Sequence, residues 1–267
     1  MSRPLPADAG PMAILRADRL VRRFGGLVAT DEASLEVHEG ELHALIGPNG
    51  AGKTTLIHQL AGALAPTSGT IHFADCDVTA LPIHARARRG LVRSYQITSV
   101  FQRLTVLDNL ALAVQARTGS SLRFWRPARA ERARYAAAAE VAGRVGLAAC
   151  EDRIAGTLSH GEQRQLELGL ALALQPRLLL LDEPLAGMGV EESARMVDLL
   201  QRLRGQHTVL LVEHDMDAVF RLADRISVLV SGRVIATGSP AEIQADPEVR
   251  RAYLGDDLVQ AGQGGVR

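Results

Sequence analysis

"ALIGPNGAGKTTLIHQLAG", residues 44–62, decides how the chain is read. An apolar run, Ala44-Leu45-Ile46, enters a turn holding Gly47, Gly50 and Gly52, and a helical pattern begins at Lys53. Gly47-Pro48-Asn49-Gly50-Ala51-Gly52-Lys53-Thr54 fits G-x-x-x-x-G-K-[ST]. Glycines let such a backbone curl until successive N–H groups face phosphate oxygens. The following helix N-terminus adds partial positive charge. Residues 47–54 are therefore candidates for a nucleotide phosphate cradle. Lys53 is the only lysine; the other 29 of the 30 basic residues are arginines. An ammonium is a compact point charge on a thin stem, whereas the planar arginine fork is too wide for the same channel. Thr54 offers a hydroxyl to Mg²⁺. The plain alternative is a glycine-rich strand-to-helix turn with a chance lysine.

Outward from this loop the pattern alternates between strand and helix. Strands are expected at 14–24, 33–38, 43–46, 70–73, 178–181, 208–212 and 226–230, with a hairpin in "SGRVIATG" turning at Gly232. Helices are expected at 53–62, 159–174 and 190–204, and through 103–146 with a break at "RTGSSLRFWRP". Such alternation predicts an α/β layered core carrying a helical subdomain over about 97–175. Residues 1–12 read as a disordered lead; 13–255 form the folded domain and 256–267 a flexible tail. Apolar residues make up 47% and charged residues 22%, as in soluble globular chains. Net charge is zero, so no global basic field calls for nucleic acid. Cys76 and Cys150 are too few for a disulfide framework and are expected to be reduced packing residues. No apolar run reaches the ~18 residues a membrane span needs, so a cytosolic chain is expected unless something holds it at a membrane.

Further motifs sit at the ends of these elements. "RLLLLDEP" is an apolar strand ending in Asp182 and Glu183. Beside a phosphate loop, Asp182 suits Mg²⁺ and Glu183 suits orienting and deprotonating the attacking water. Ser159 and Glu162 form the S-x-x-E capping box of a helix, and Ser159 and Gly161 at that N-terminus can also offer donors to an anion. Gln96 and His214 follow strand-like runs, and Phe24 precedes Gly25-Gly26; taken singly, each reads as an ordinary surface or core residue.

Together these residues arrive in the order and spacing of the ATP-binding-cassette ATPases, which the chain resembles from about Leu15 to Gly255. The resemblance implies a P-loop NTPase core with an antiparallel β subdomain and a helical subdomain. It implies ATP and Mg²⁺ as cofactors. Phe24 would stack on adenine, Gly47 to Thr55 would cradle the phosphates, Gln96 would sense Mg²⁺ and the γ-phosphate, and Ser159 and Gly161 would reach the ATP of a second subunit. Glu183 would be the catalytic base, His214 the γ-phosphate switch, and Thr54, Gln96 and Asp182 the metal-side residues. Two departures stand out. The signature usually written LSGGQ is here LSHGE, with His160 and Glu162, and the loop Leu185-Ala-Gly-Met-Gly189 carries no acid where S-A-L-D is usual.

Four stretches ("RRFGGLVA", "VRSYQITSVFQRLTVLDNL", "VEHDMDAVFRLADRISVLVSGRVIATGSPAEI" and "DPEVRRAYLG") resemble the cassettes of bacterial branched-chain amino acid uptake. Cassettes for urea and short amides are similar, and "LPIHARARRG" is similar to the lipopolysaccharide-export cassette. This implies two integral membrane permease subunits as partners, a second ATPase subunit (identical or different), and indirectly a periplasmic solute-binding protein. The place implied is the cytoplasmic face of the bacterial inner membrane. Residues 93–110, among them Ile97, Val100, Phe101 and Leu104, would meet the permease. A soluble cassette ATPase without a membrane partner, or a nucleotide kinase using the same loop, are the readings of other classes.

Overall fold

The computed structural model describes residues 13–94, 100–117 and 128–252, with side chains from 132 onward in the last stretch. Gln96 and Ile97 lie outside the described residues.

The chain opens with β1 (Ala13–Phe24) and β2 (Leu27–His38), then β3 (Leu42–Ile46), α1 (Lys53–Ala61), β4 (Ser68–Phe73), β5 (Cys76–Asp77), α2 (Ile83–Arg88) and β6 (Leu91–Arg93). The helices α3 (Val106–Arg117), α4 (Ala128–Arg144) and α5 (His160–Ala173) follow. Then come β7 (Leu178–Asp182), α6 (Val190–Leu203), β8 (Thr208–Val212), α7 (Met216–Leu222), β9 (Arg225–Val230), β10 (Arg233–Gly238) and α8 (Pro240–Ala245). One sheet is antiparallel in the order β2-β1-β4-β5; the other runs β10-β9-β3-β8-β7-β6. In the second sheet β6, β7, β8, β3 and β9 are mutually parallel, and only β10 runs back.

Parallel strands buried on both faces read as continuous apolar runs, as Leu178–Leu181 of β7 and Val209–Val212 of β8 do, while β3 is equally buried but carries His43. Their period of two divides the core. Leu178 and Leu180 of β7, Leu210 and Val212 of β8 and Leu45 of β3 face α1 and the antiparallel sheet. Leu179, Leu181, Val209, Leu211, Ala44 and Ile46 face α3 to α7. The parallel sheet is therefore the middle layer. Its carboxyl edge, where every parallel strand ends together, is the usual place for a ligand in such a fold.

Two features escaped the sequence reading. Arg86 of α2 is 1% exposed, and its guanidinium donates to the carbonyls of Leu81, Gln59, Leu60 and Thr79 at 2.6–3.0 Å. Two of these belong to the last turn of α1, so the arginine satisfies helix-end carbonyls and sets a cation at the negative end of the helix dipole. Burial brings its pKa down to about 10. Cys76 corrects an expectation: it is exposed on the two-residue edge strand β5 and packs nothing. Cys150 is half-buried beside Glu162, with Sγ 3.5 Å from Oε1.

Candidate nucleotide site

The phosphate loop leaves β3 at Gly47 and enters α1 at Lys53. Its curl is fixed by close approaches that only glycine permits. At Gly47 (φ 155°) a Cβ would lie 2.1 Å from the carbonyl oxygen of Leu229, and at Gly52 (φ 103°) 2.2 Å from that of Ala29. The tip of the β9–β10 hairpin braces the loop from outside: Gly232 N–H donates to Ala51 O at 2.8 Å, and Asp31 N–H donates to Gly232 O at 2.9 Å. Lys53 is 8% exposed, and its ammonium donates to the carbonyls of Gly47 (2.5 Å) and Pro48 (3.0 Å). The charge is thus held across the mouth of the loop on a slim stem. Thr54 is exposed and Thr55 half-buried, while Pro48, Asn49 and Gly50 line the open rim.

Asp182 ends β7, and its Oδ2 accepts from Arg93 Nη2 at 2.6 Å. Glu183 follows with a left-handed backbone (φ 48°), which an L-residue adopts at a cost of about 1–2 kcal/mol. That backbone turns the carboxylate out of the strand, where it is 43% exposed, with Oε1 4.0 Å from His214 Nδ1. His214 lies beyond β8 and is 61% exposed. The register Asp182↔Val212 places both residues just past the end of one ladder. Glu213, which the sequence reading did not single out, is 1% exposed between them. Its Oε1 accepts from Leu185 N–H at 2.8 Å and its Oε2 from His214 N–H at 3.2 Å. Burial raises its pKa, against those two backbone bonds and the nearby His214. No local sequence pattern marks it, because the partner it reaches across to, Leu185, lies 28 residues away.

Lys53, Asp182, Glu183 and His214 therefore share one edge of the sheet. Phe24 stands at the β1–β2 turn, 46% exposed, with the Arg22 guanidinium 4.8 Å above its ring. Ser159 and Gly161 are elsewhere, at the N-terminus of α5. Ser159 accepts from Glu162 N–H, and Glu162 Oε2 accepts from Ser159 N–H at 2.7 Å, completing the capping box. Gly161 N–H donates to Glu192 Oε1 of α6 at 3.2 Å, and a Cβ on Gly161 would meet Glu192 Cδ at 2.8 Å. A carboxylate thus already rests on a helix N-terminus suited to an anion. His160 Nε2 lies 3.4 Å from where a Cβ on Gly187 would be, so the two departures from the usual motifs are neighbours.

The residues present suit a nucleotide with a divalent ion. A hydroxyl and a carboxylate are hard oxygen donors, and Mg²⁺ takes few protein ligands besides phosphate and water. Among the described residues no group of three or more His, Cys, Asp or Glu side chains could hold a metal by itself. Such an ion would therefore depend on the phosphate oxygens. Among the described residues, no helix is long and apolar enough to cross a membrane.

The family described as ABC transporter matches residues 30–186, and the one described as branched-chain amino acid ATP-binding cassette transporter matches 233–259. The high-affinity branched-chain amino acid transport ATP-binding protein LivG of Salmonella typhimurium is 41% identical over 250 residues, spanning 91% of this chain and 98% of its own. BraF of Pseudomonas aeruginosa, a protein of the same description, is 40% identical over 250 residues with the same coverage. The lipopolysaccharide export system ATP-binding protein LptB of Escherichia coli is 36% identical over 248 residues, spanning 92% of this chain and 99% of its own. Among solved structures, an ABC-transporter cassette in its ADP conformation superposes with a TM-score of 0.79 at 31% identity, covering 91% of this chain and 99% of that one. A nucleotide-free cassette gives 0.77 at 28% identity with the same coverage. Relatives with different cargo thus share nearly the whole length of the chain, and the chain belongs to the ATP-binding-cassette family as a transport-coupled ATPase.

Proposed function

We propose that this ATPase powers the import of branched-chain or other neutral amino acids. The observation that carries the reading is the match of residues 233–259 to the branched-chain amino acid cassette family, supported by the descriptions of LivG and BraF. Lipopolysaccharide export is the second reading, favoured by the 36% identity to LptB. In the preferred reading the chain sits peripherally at the cytoplasmic face of the inner membrane. It engages two permease subunits and a second cassette, and receives solute through a periplasmic binding protein.

In this reading each residue has a distinct part. Lys53 moves its ammonium from the loop carbonyls to the β- and γ-phosphates, while the backbone of 47–52 and the hydroxyls of Thr54 and Thr55 surround them. Phe24 gives adenine its free aromatic face. Thr54, Asp182 and Gln96 would hold Mg²⁺, which neutralises phosphate charge when bound. Glu183 accepts the proton of the attacking water, and His214 steadies the γ-phosphate end. The N-terminus of α5, with Ser159 and Gly161, meets the ATP held by the other cassette, displacing Glu192 as it does so. Charge repulsion after hydrolysis reopens the pair, and segment 93–110 passes the motion to the permease.

The test is uptake of labelled leucine, urea and other solutes in the native host with this gene deleted. Loss of leucine uptake supports the reading. Unchanged leucine uptake with defective lipopolysaccharide export would replace it with the second.

A further inference from the structure

The parallel ladder between β7 and β8 ends at Asp182↔Val212. One more backbone bond, from Glu183 N–H to Val212 O at 2.8 Å, extends it. Beyond that the two chains diverge, one turning through Leu185 and the other into α7. The reacting groups sit in this unladdered region, where regular sheet geometry no longer sets the distance between them. The Glu213 side chain spans the gap by hydrogen bonds.

We propose that Glu213 is the positioning residue that fixes the Glu183 segment against the His214 segment, so that base and switch keep one separation through the cycle. The proposal rests on the roles given above to Glu183 and His214. One carboxylate oxygen is bound by the N–H two residues beyond Glu183, at 2.8 Å, and the other by the N–H of His214, at 3.2 Å. Both bonds come from backbone, so they place the chain rather than a rotatable side-chain tip. His214 Nδ1 stands 3.9 Å from Glu213 Oε2 and 4.0 Å from Glu183 Oε1. A shift of one segment by the length of a lost hydrogen bond would break that symmetry.

The chemistry separates this role from plain packing. A carboxyl group that is 1% exposed is costly unless its oxygens are bound, and an apolar side chain would fill the space at lower cost. An apolar side chain cannot accept both the N–H of the next residue and an N–H from a segment 28 residues away. Glutamine is the sharp probe. Its carbonyl can accept from Leu185 N–H, but its NH₂ then faces another donor at His214, so only the His214 side of the brace is lost. Glu213 reaches no reacting atom in this arrangement; its effect passes through His214.

The experiment compares the full-length chain with Glu213→Gln, His214→Ala and the double variant. Phosphate release from saturating Mg-ATP gives kcat, binding of a fluorescent ATP analogue gives Kd, and hydrogen exchange of the peptide spanning 210–219, which holds the His214 N–H, reports the brace. Glu213→Gln is expected to lower kcat at least tenfold with Kd within twofold. In the His214→Ala background it is expected to cost no further turnover, within twofold. Glu213→Gln with normal kcat while His214→Ala is slow would overturn the proposal and leave the site assignment standing. Losses that multiply in the double variant would also overturn it, by showing that Glu213 acts independently of His214. Normal turnover in His214→Ala would instead remove the switch role of His214, and with it the function assigned to the brace. Should turnover of the chain alone be too slow to resolve, unchanged exchange of the peptide spanning 210–219 in Glu213→Gln overturns the proposal and faster exchange there supports it.

Discussion

Removing the Glu192 carboxylate should tighten the ATP-dependent pairing of two cassettes. In the free chain Glu192 Oε1 accepts from Gly161 N–H at 3.2 Å, and its Cδ lies within 2.8 Å of where a Cβ on that glycine would be. A phosphate cannot take the α5 N-terminus while the carboxylate is there. A carboxylate at a partly exposed helix N-terminus is worth about 0.5–1 kcal/mol. A symmetric pair releases two such contacts on closing, so wild type loses about 1–2 kcal/mol that Glu192→Ala does not, or roughly 5–30-fold in the dimerisation constant. The opposing effect is on α6, whose first turn holds Glu191 and Glu192 beneath an uncapped Gly189. The variant should therefore be slightly less stable as a monomer yet pair more tightly, a combination that general damage does not produce. The assay is sedimentation of Glu183→Gln and Glu183→Gln/Glu192→Ala across an ATP titration, with nucleotide affinity of the monomer measured alongside. Equal or weaker pairing in the double variant would refute the reasoning, and no pairing in either would refute the two-cassette sandwich itself.

Lys53→Arg should bind ATP at least tenfold more weakly than wild type by calorimetry, because the fork cannot follow a stem that is 8% exposed between loop carbonyls; equal affinity would show that charge alone suffices. Arg86→Ala leaves four carbonyls without their donor, and should cost about 3 kcal/mol or more, seen as a fall in Tm on the order of 6–12 °C; Arg86→Lys should recover only part of it. Glu213 has its folded pKa raised by burial above the ordinary 4.5. The folded chain therefore holds that proton more tightly than the unfolded one, and the stabilisation is present at low pH and lost as pH climbs through the folded value. Wild type should accordingly lose stability relative to Glu213→Gln as pH rises from about 4.5, whereas parallel urea-unfolding curves would contradict the shift. Gly189→Asp should be accepted and add a few tenths of a kcal/mol in thermal unfolding, since Gly189 is the N-cap of α6 with φ −69° and nothing within 4 Å of an added Cβ; a loss of stability would mean that the acid is excluded for a reason outside its own surroundings.

What the sequence made legible was what depends on neighbours along the chain. The phosphate loop is a local device: glycines at fixed intervals, then a lysine at the helix start, so its spacing alone carries the chemistry. The capping box of α5 joins residues three apart and was readable for the same reason. The identical device at Ser239 and Glu242, which opens α8, obeys the same rule and was missed. The alternating layers of β7 and β8 could not be assigned to faces beforehand, because an apolar run buried on both sides has no polar residue to mark its period. Arg86 and Glu213 were invisible for a different reason. Arg86 reaches carbonyls 26 and 27 residues away and Glu213 an N–H 28 residues away, and nothing in the local pattern of an arginine or a glutamate reports a distant carbonyl or N–H. The two departures from the usual motifs show the same limit from the other side. His160 and the acid-free loop 185–189 look unrelated on paper, yet the ring stands 3.4 Å from where a Cβ on Gly187 would be. Gly187 has φ 76°, so a side chain there would be strained as well as close to the imidazole. The histidine in the signature and the glycine in the loop therefore face each other at ordinary contact distance, where α5 meets the loop leading into α6. The strain belongs to the loop's own backbone, so replacing the imidazole would open space beside Gly187 without making a side chain there easier to hold.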